Sequence, residues 1–245
     1  MSIQQFKQAL NDSKKIVFFG GAGVSTESGI PDFRSANGIF MQETNSEFSP
    51  EQIISHSFFK RYPKQYFDFH FDKLVYADAQ PNLAHTFLRT LEDSGKDVTV
   101  VTQNIDGLHQ LAGSSKVLEL HGTLINNYCL ACNENYSLED LILDEQGIPR
   151  CPKDGGIVRP DIVMYEEALD ANTIESAIQA ISSADMLIVA GTSLSVYPAA
   201  GFVDLFHGKY LVVINKIPLR YVREDAIVFE DSISNVFKKI QKENR

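Results

Sequence analysis

Six short runs of β-branched and aliphatic residues recur along the chain: 15–19 (KIVFF), 97–102 (DVTVVT), 116–120 (KVLEL), 185–190 (DMLIVA), 209–215 (KYLVVIN) and 226–230 (AIVFE). Each is short enough for a strand and apolar enough to be buried on both faces, the pattern of a parallel sheet covered by helices. Segments with helical periodicity separate several of them, at 82–95 and 172–184, and others stand at the amino terminus and at 232–245. Strands alternating with helices predict an α/β fold with a doubly wound parallel sheet. Ligands bind such sheets beyond the carboxyl ends of the strands.

Two stretches interrupt the alternation. Residues 36–75 hold no strand pattern and are rich in Phe, Tyr and His, which predicts helices packed over the sheet; residues 122–160 hold all three cysteines, with turn signals at DEQGIPR and KDGG. The expected division is a Rossmann-like nucleotide-binding domain of residues 1–35, 76–121 and 161–245, with 36–75 and 122–160 as a smaller inserted lobe: a helical module plus a zinc-knuckle-like module. A chain of 245 residues is long enough for that.

The formal charge of -10 argues against a nucleic-acid partner, since phosphate binding draws on clustered Lys and Arg. No apolar run approaches the roughly 20 residues that span a bilayer, so no membrane partner is expected. The amino terminus lacks the apolar core of a secretion signal, and an odd number of cysteines does not suggest a disulfide framework; a cytoplasmic location is expected, and a monomer is compatible with the sequence.

Immediately after the first strand run comes GGAGVSTESGIPDFRS, residues 20–35. Gly21, Ala22 and Gly23 allow close backbone approach to a pyrophosphate, and Ser25 and Thr26 add hydroxyls. A dinucleotide fingerprint of the dehydrogenase kind would place glycine where Thr26 stands and an acidic residue at the end of a second strand about 20 residues on. Asp32, Phe33 and Arg34 occupy that stretch without a strand, which disfavours hydride transfer. A second strand ends at Thr102 and is followed by Gln103, Asn104, Ile105, Asp106 and His109, more polar groups than a turn needs. A third ends before His121, whose position and ordinary pKa suit proton transfer.

Taken together, GAGVSTESGIPDFR, TQNIDGLH, the His121-Gly122 pair, RPDIVMYEE, GTSLSV and the Asn215-Lys216 pair resemble the sirtuin family of NAD-dependent protein deacylases in its bacterial form, in the family's order and over nearly the whole chain. The resemblance implies that NAD is consumed as a co-substrate: the amide oxygen of an acetyl-lysine protein or peptide attacks the ribose carbon that carries nicotinamide. It assigns Gly21, Ala22, Gly23 and Thr26 to the pyrophosphate, and Asp32, Phe33 and Arg34 to a cover over nicotinamide and its ribose. Ile105 and Asp106 would hold the carboxamide, Gln103 and Asn104 would orient the ribose, and His121 would be the general base. Gly191, Thr192 and Ser193 would wrap phosphate and ribose oxygens, with Asn215, Lys216 and Asp231 on the adenosine side. The acyl-peptide would add as a strand between Val163, Met164, Tyr165 and Glu166 on one side and Ser195 and Val196 on the other.

This chain departs from the family pattern at two places and lacks a pair that some members carry. Cys129, Cys132 and Cys151 keep the knuckle spacing, but Asp154 stands where a fourth cysteine belongs. Three thiolates and a carboxylate can complete a tetrahedron around structural zinc; the alternative is a degenerate knuckle without metal. Glu166 stands where many members of the family carry glycine and is expected to favour cationic sequences around the target lysine. Phe67 and His70 stand where family members that prefer acidic acyl groups carry Tyr and Arg, so an apolar acyl group is expected. Protein ADP-ribosyl transfer is the alternative activity, and noncatalytic binding of NAD or ADP-ribose the alternative of another class. The presence of both Asn104 and His121 favours deacetylation.

Overall fold

A computed structural model describes residues 3–33, 35, 38–41, 47–219 and 222–242. Arg34, expected at the cofactor, lies outside them. All six apolar runs form strands of one sheet: β1 (Lys15–Gly20), β2 (Asp97–Thr102), β3 (Val117–Glu119), β7 (Met186–Ala190), β8 (Tyr210–Ile214) and β9 (Ile227–Phe229). Their order is β3-β2-β1-β7-β8-β9, and every neighbouring pair is parallel.

Alternate residues of each strand feed opposite faces. Ile16 and Phe18 of β1, Met186 and Ile188 of β7 and Val212 of β8 enter one core, which is covered by α1 (Ile3–Asp12), α5 (Leu83–Asp93) and α8 (Ile233–Lys242). Phe87 and Phe237 stack there with ring centroids 4.1 Å apart. Val17, Phe19, Leu187, Val189 and Val213 enter the other core, under α7 (Ala171–Ser182) and a 3-10 segment Ala199–Leu205. Helices on both faces explain why the runs are apolar throughout rather than alternating.

The smaller lobe combines the two interruptions. Its helices are α2 (Pro50–Ile53), α3 (His56–Arg61) and α4 (Pro63–Phe69), the last continuing into a π turn His70–Leu74. Its sheet is antiparallel, in the order β5 (Asn135–Ser137), β4 (Gly122–Cys129), β6 (Val158–Ile162). Phe58, Phe59, Tyr66, Phe67 and Phe69 form its apolar core together with Ile148 and Met164, so both interruptions contribute to one cluster. Strand β6 runs across the expected boundary at 160 and 161.

Strand order reverses between β1 and β7, where Gly20 pairs with Ala190, while Gly20 also pairs with Thr102 on β2. The loops after these three strands therefore leave the sheet side by side. This is the switch point at which open α/β sheets bind ligands.

Candidate active site and metal centre

The glycine turn touches the loop after β7 backbone to backbone. A Cβ on Gly23 would lie 2.7 Å from the Gly191 Cα, and Gly23 N donates to Gly191 O at 2.8 Å. Gly21 is equally confined, since a Cβ there would meet the Thr192 Cβ at 2.8 Å. Gly191 itself has φ 59°, the left-handed region that favours glycine. These glycines are thus required by the contact between loops, whatever else they approach.

Side chains extend the contact. Gln103 Nε2 donates to Thr192 Oγ1 at 3.0 Å, and Asn215 clasps Thr192 from the other side, accepting from its amide at 3.1 Å and donating to its carbonyl at 2.8 Å. Ser193 and Ser195 pair through their hydroxyls at 2.7 Å, Val196 is half-buried beside them, and Lys216 is exposed just beyond Asn215. Thr26 Oγ1 donates to Gly23 O at 3.1 Å and so stiffens the turn it belongs to.

Ser25, buried in the turn, donates to Asp106 Oδ2 at 2.6 Å and receives Asn104 Nδ2 at 3.0 Å. These residues line a pocket whose other walls include Ala22, Ile30, Phe33, Ile105, Tyr76 and Leu124. The walls are largely apolar and the polar groups converge from Asn104 and Asp106, an arrangement suited to a small planar amide. Phe33 is held by Phe40 at 5.2 Å between centroids, and the Asp32 carboxylate accepts from Ser35 N at 2.7 Å, closing the turn that presents it.

His121 follows β3 and is half-buried, with Nδ1 2.9 Å from Gln103 O. A carbonyl oxygen only accepts, so Nδ1 carries the hydrogen and Nε2 keeps its lone pair. Burial lowers the His121 pKa below the ordinary histidine value, against the opposing effect of the Gln103 carbonyl. At neutral pH the ring is a neutral base with a fixed tautomer.

The segment after β6 lies against the helical module. Val163 N donates to His121 O at 2.9 Å, Tyr165 N to Ile54 O at 3.1 Å, and His56 N to Tyr165 O at 3.0 Å. Met164 does not line an open face as expected: its side chain is buried in the aromatic core of the small lobe. Nor does Glu166 offer a free carboxylate to a cationic peptide, because both its oxygens accept from Ser57, from the amide at 2.8 Å and the hydroxyl at 2.9 Å.

Other expectations are also redirected. Asp231 stands just before α8, accepting from Lys239 Nζ at 2.9 Å, Asn235 Nδ2 at 3.0 Å and Ser232 N at 2.8 Å, contacts that hold its carboxyl down at about 2. Both its oxygens are thus already engaged at the start of that helix. His109 is not presented by the loop: it falls on the short helix α6 (Leu108–Leu111), buried with its ring 4.7 Å from that of His85 and 5.8 Å from Phe18. Asn82, which lies in no sequence motif, caps α5 and also donates to Val24 O at 2.8 Å and Ser28 Oγ at 3.0 Å, pinning the glycine turn to that helix. Its only signal was a Pro-Asn pair at a helix start.

The cysteine module forms a separate centre. Cys129, Cys132, Cys151 and Asp154 bring one ligand atom each to within 4.8 Å of all the others. Cys132 Sγ and Cys151 Sγ are 3.7 Å apart, and Cys129 Sγ is 3.4 Å from Asp154 Oδ1. Zinc–sulfur bonds of about 2.3 Å at tetrahedral angles require thiolates about 3.7 Å apart. A Cβ on Gly156 would lie 2.8 Å from Cys129 Sγ and 3.0 Å from Asp154 Oδ1, so glycine keeps the centre open. The Gly156 amide donates to Asp154 Oδ1 at 2.8 Å and is the chief reason the carboxyl titrates as low as about 2. Orientation and spacing fit structural zinc. Among the described residues no other cluster of His, Cys, Asp or Glu does so, and no helix is long and apolar enough to cross a membrane.

The same architecture occurs in solved structures: a Sir2 variant with a deacetylated peptide and 3′-O-acetyl ADP ribose has a TM-score of 0.90 at 36% identity, covering 99% of this chain and 98% of that one. A Sir2 structure bound to acetylated peptide has a TM-score of 0.87 at 34% identity, covering 100% and 99%. Among curated proteins, an NAD-dependent protein deacetylase of Clostridium perfringens is 55% identical over 239 residues, 97% of this chain and 98% of the relative. One from Clostridium acetobutylicum is 50% identical over 238 residues, 97% of each. The Sir2 family model matches residues 21–198, from the glycine turn through the loop after β7. With the switch-point loops and the histidine in the places that such a sequence demands, the chain belongs to the Sir2 family.

Proposed function

We propose that the chain is an NAD-dependent protein-lysine deacetylase, converting NAD, water and an acetyl-lysine protein to lysine, nicotinamide and O-acetyl-ADP-ribose. Bound NAD supplies a labile ribose–nicotinamide bond; the protein binds, orients and moves protons. Gly21, Ala22, Gly23 and Thr26, with Gly191, Thr192 and Ser193, cradle the diphosphate, and Asn215 and Lys216 face the adenosine side. Ile105 and Asp106 receive the carboxamide while Phe33 and Ile30 keep water from the ribose carbon. Asn104 and Gln103 orient the ribose hydroxyls, and His121 Nε2 takes a proton from one of them. The acyl-peptide lies along Val163, Tyr165 and Glu166 opposite Ser195 and Val196.

The observation that carries this reading is that one loop holds both halves of the chemistry. Gln103 O fixes the tautomer of His121, while Asn104 and Asp106, one and three residues on, hold Ser25 at the pocket. A noncatalytic binder of NAD would need the cradle but not a base with a fixed lone pair. On this reading the chain divides into a nucleotide-binding domain of 1–35, 76–121 and 161–245 and an inserted lobe of 36–75 and 122–160; this loop belongs to the first, and its pocket also takes Leu124 from the second. The three cysteines fall together in one cluster of candidate metal ligands, which suits a reducing, cytoplasmic setting.

The test is incubation with NAD and an acetyl-lysine peptide, following nicotinamide and peptide mass. Stoichiometric nicotinamide and loss of acetyl support deacetylation. Nicotinamide release with ADP-ribose appearing on protein would replace it by ADP-ribosyl transfer, and no release at all would leave a binding module.

A further inference from the structure

Glu166 stands in a backbone conformation its residue type avoids. Its φ is 74°, in the left-handed region where a Cβ crowds the following carbonyl. The strained residue makes two charge-assisted hydrogen bonds to a single partner: Ser57 donates its amide to Oε2 at 2.8 Å and its hydroxyl to Oε1 at 2.9 Å. The residues on either side reach the same helical module. Tyr165 exchanges main-chain bonds with Ile54 and His56, at 3.1 and 3.0 Å. Glu167 Oε1 lies 2.7 Å from His56 Nδ1 and also receives Arg159 Nη1 at 2.6 Å. Three consecutive residues are thus fastened to 54–57, and only the middle one does so from a disfavoured backbone.

We propose that Glu166 is a positioning residue for the acyl-peptide: by holding Ser57 it locks the turn after β6 onto the helical lobe, so that the strand edge is ordered before a peptide arrives. The inference rests on the peptide lying along Val163, Tyr165 and Glu166. Main-chain pairing needs an edge of fixed geometry, and an edge that orders only on binding loses affinity to that ordering. A glycine at this position would enter the left-handed region freely but could not fasten the turn. The carboxylate consumed by Ser57 is also withdrawn from the substrate, so flanking lysines or arginines gain little from it.

Three substitutions separate strain from fastening. Glu166→Asn tolerates the left-handed backbone but is a methylene too short to hold Ser57. Glu166→Gln keeps the length and one acceptor oxygen. Ser57→Ala removes the hydroxyl donor alone. In the 245-residue chain, with a fluorescein-labelled acetyl-lysine peptide as probe, Glu166→Asn is expected to raise peptide Kd and KM about threefold to tenfold, leaving the NAD KM and saturated kcat within about twofold. Glu166→Gln and Ser57→Ala are expected to fall between it and the parent. Unchanged peptide affinity in Glu166→Asn overturns the inference whether or not thermal stability drops. So does a loss spread equally over peptide KM, NAD KM and kcat, which marks a general structural defect. A parent protein that neither binds this peptide nor releases nicotinamide with it refutes the deacetylase reading, and this inference with it.

Discussion

The Ser25 hydroxyl donates to Asp106 Oδ2 at 2.6 Å and accepts from Asn104 Nδ2 at 3.0 Å, so one residue of the glycine turn holds two residues of the loop after β2. Ser25→Ala leaves a carboxylate and a buried amide without that partner, and each such loss costs about 1–3 kcal/mol. Catalytic efficiency toward NAD is expected to fall about 10-fold to 100-fold, with the peptide KM unchanged, as read from initial rates of nicotinamide release. Asp106→Asn is expected to weaken inhibition by added nicotinamide as well. Inhibition that stays at the parental level would remove Asp106 from the carboxamide.

His121→Ala is expected to lower kcat about 100-fold to 10,000-fold while NAD binding persists, the usual loss for a general base. The pH profile gives a second check. Only the neutral ring can accept a proton, and burial lowers the His121 pKa, so activity should be flat through neutrality and decline only below the ordinary histidine range near 6.5. An acid limb centred above that value would show that another group, or a charged histidine, governs the reaction.

How much of this could be read from the chain depends on whether the signal was local. The six strands were legible because runs such as DMLIVA are apolar on both faces, and their order places Gly20 beside Ala190 and Thr102. The antiparallel sheet was not, because β4 breaks its own pattern: its pairing with β6 slips between Thr123 and Asn127, and Asn126 and Asn127 blur the alternation. His109 was misplaced because a polar residue type in a strand-end loop says nothing of the helix that starts at Leu108 and turns it inward. The Asn82–Val24 hydrogen bond joins residues 58 positions apart and leaves no trace in either segment. Glu166 was visible as a departure, but its partner Ser57 lies 109 residues away and inverted the expected role.

Three histidines buried without charge make stability depend on acid. Burial lowers the pKa of His70 to about 4, of His85 to about 4 and of His109 to about 3, whereas in the unfolded chain each titrates near 6.5. Above about 6.5 both states are unprotonated and pH has no effect through these groups. Between there and about 4 the unfolded chain binds more protons, so stability rises with pH across that window and is lost as pH falls through it. Urea midpoints are expected to drop steadily from pH 7 to 4.5, and His109→Gln should flatten the slope. A pH-independent midpoint over that range would mean that the rings are reached by solvent.

At the metal centre a carboxylate stands among three thiolates, and its behaviour separates a working zinc site from a relic. Asp154 is oriented by the Gly156 amide at 2.8 Å and faces Cys129 Sγ at 3.4 Å, so it needs no rearrangement to serve as the fourth donor. Protein prepared without chelator is expected to carry about one equivalent of zinc by elemental analysis. Asp154→Cys should bind zinc more tightly in competition with a chromophoric chelator, since thiolate is the softer donor, and Asp154→Ala should bind it more weakly. Removing the metal should loosen the small lobe, seen as a lower unfolding midpoint, because the ligands would lose the bonds that hold β4 to the turn at 151–156. Activity would then fall through the lobe and its hold on Val163 and Tyr165, with His121 chemistry intact at saturating peptide. If the protein is isolated without zinc and added zinc leaves its midpoint unmoved, the module stands on its apolar contacts alone, and Asp154 is simply the residue that replaced a ligand no longer needed.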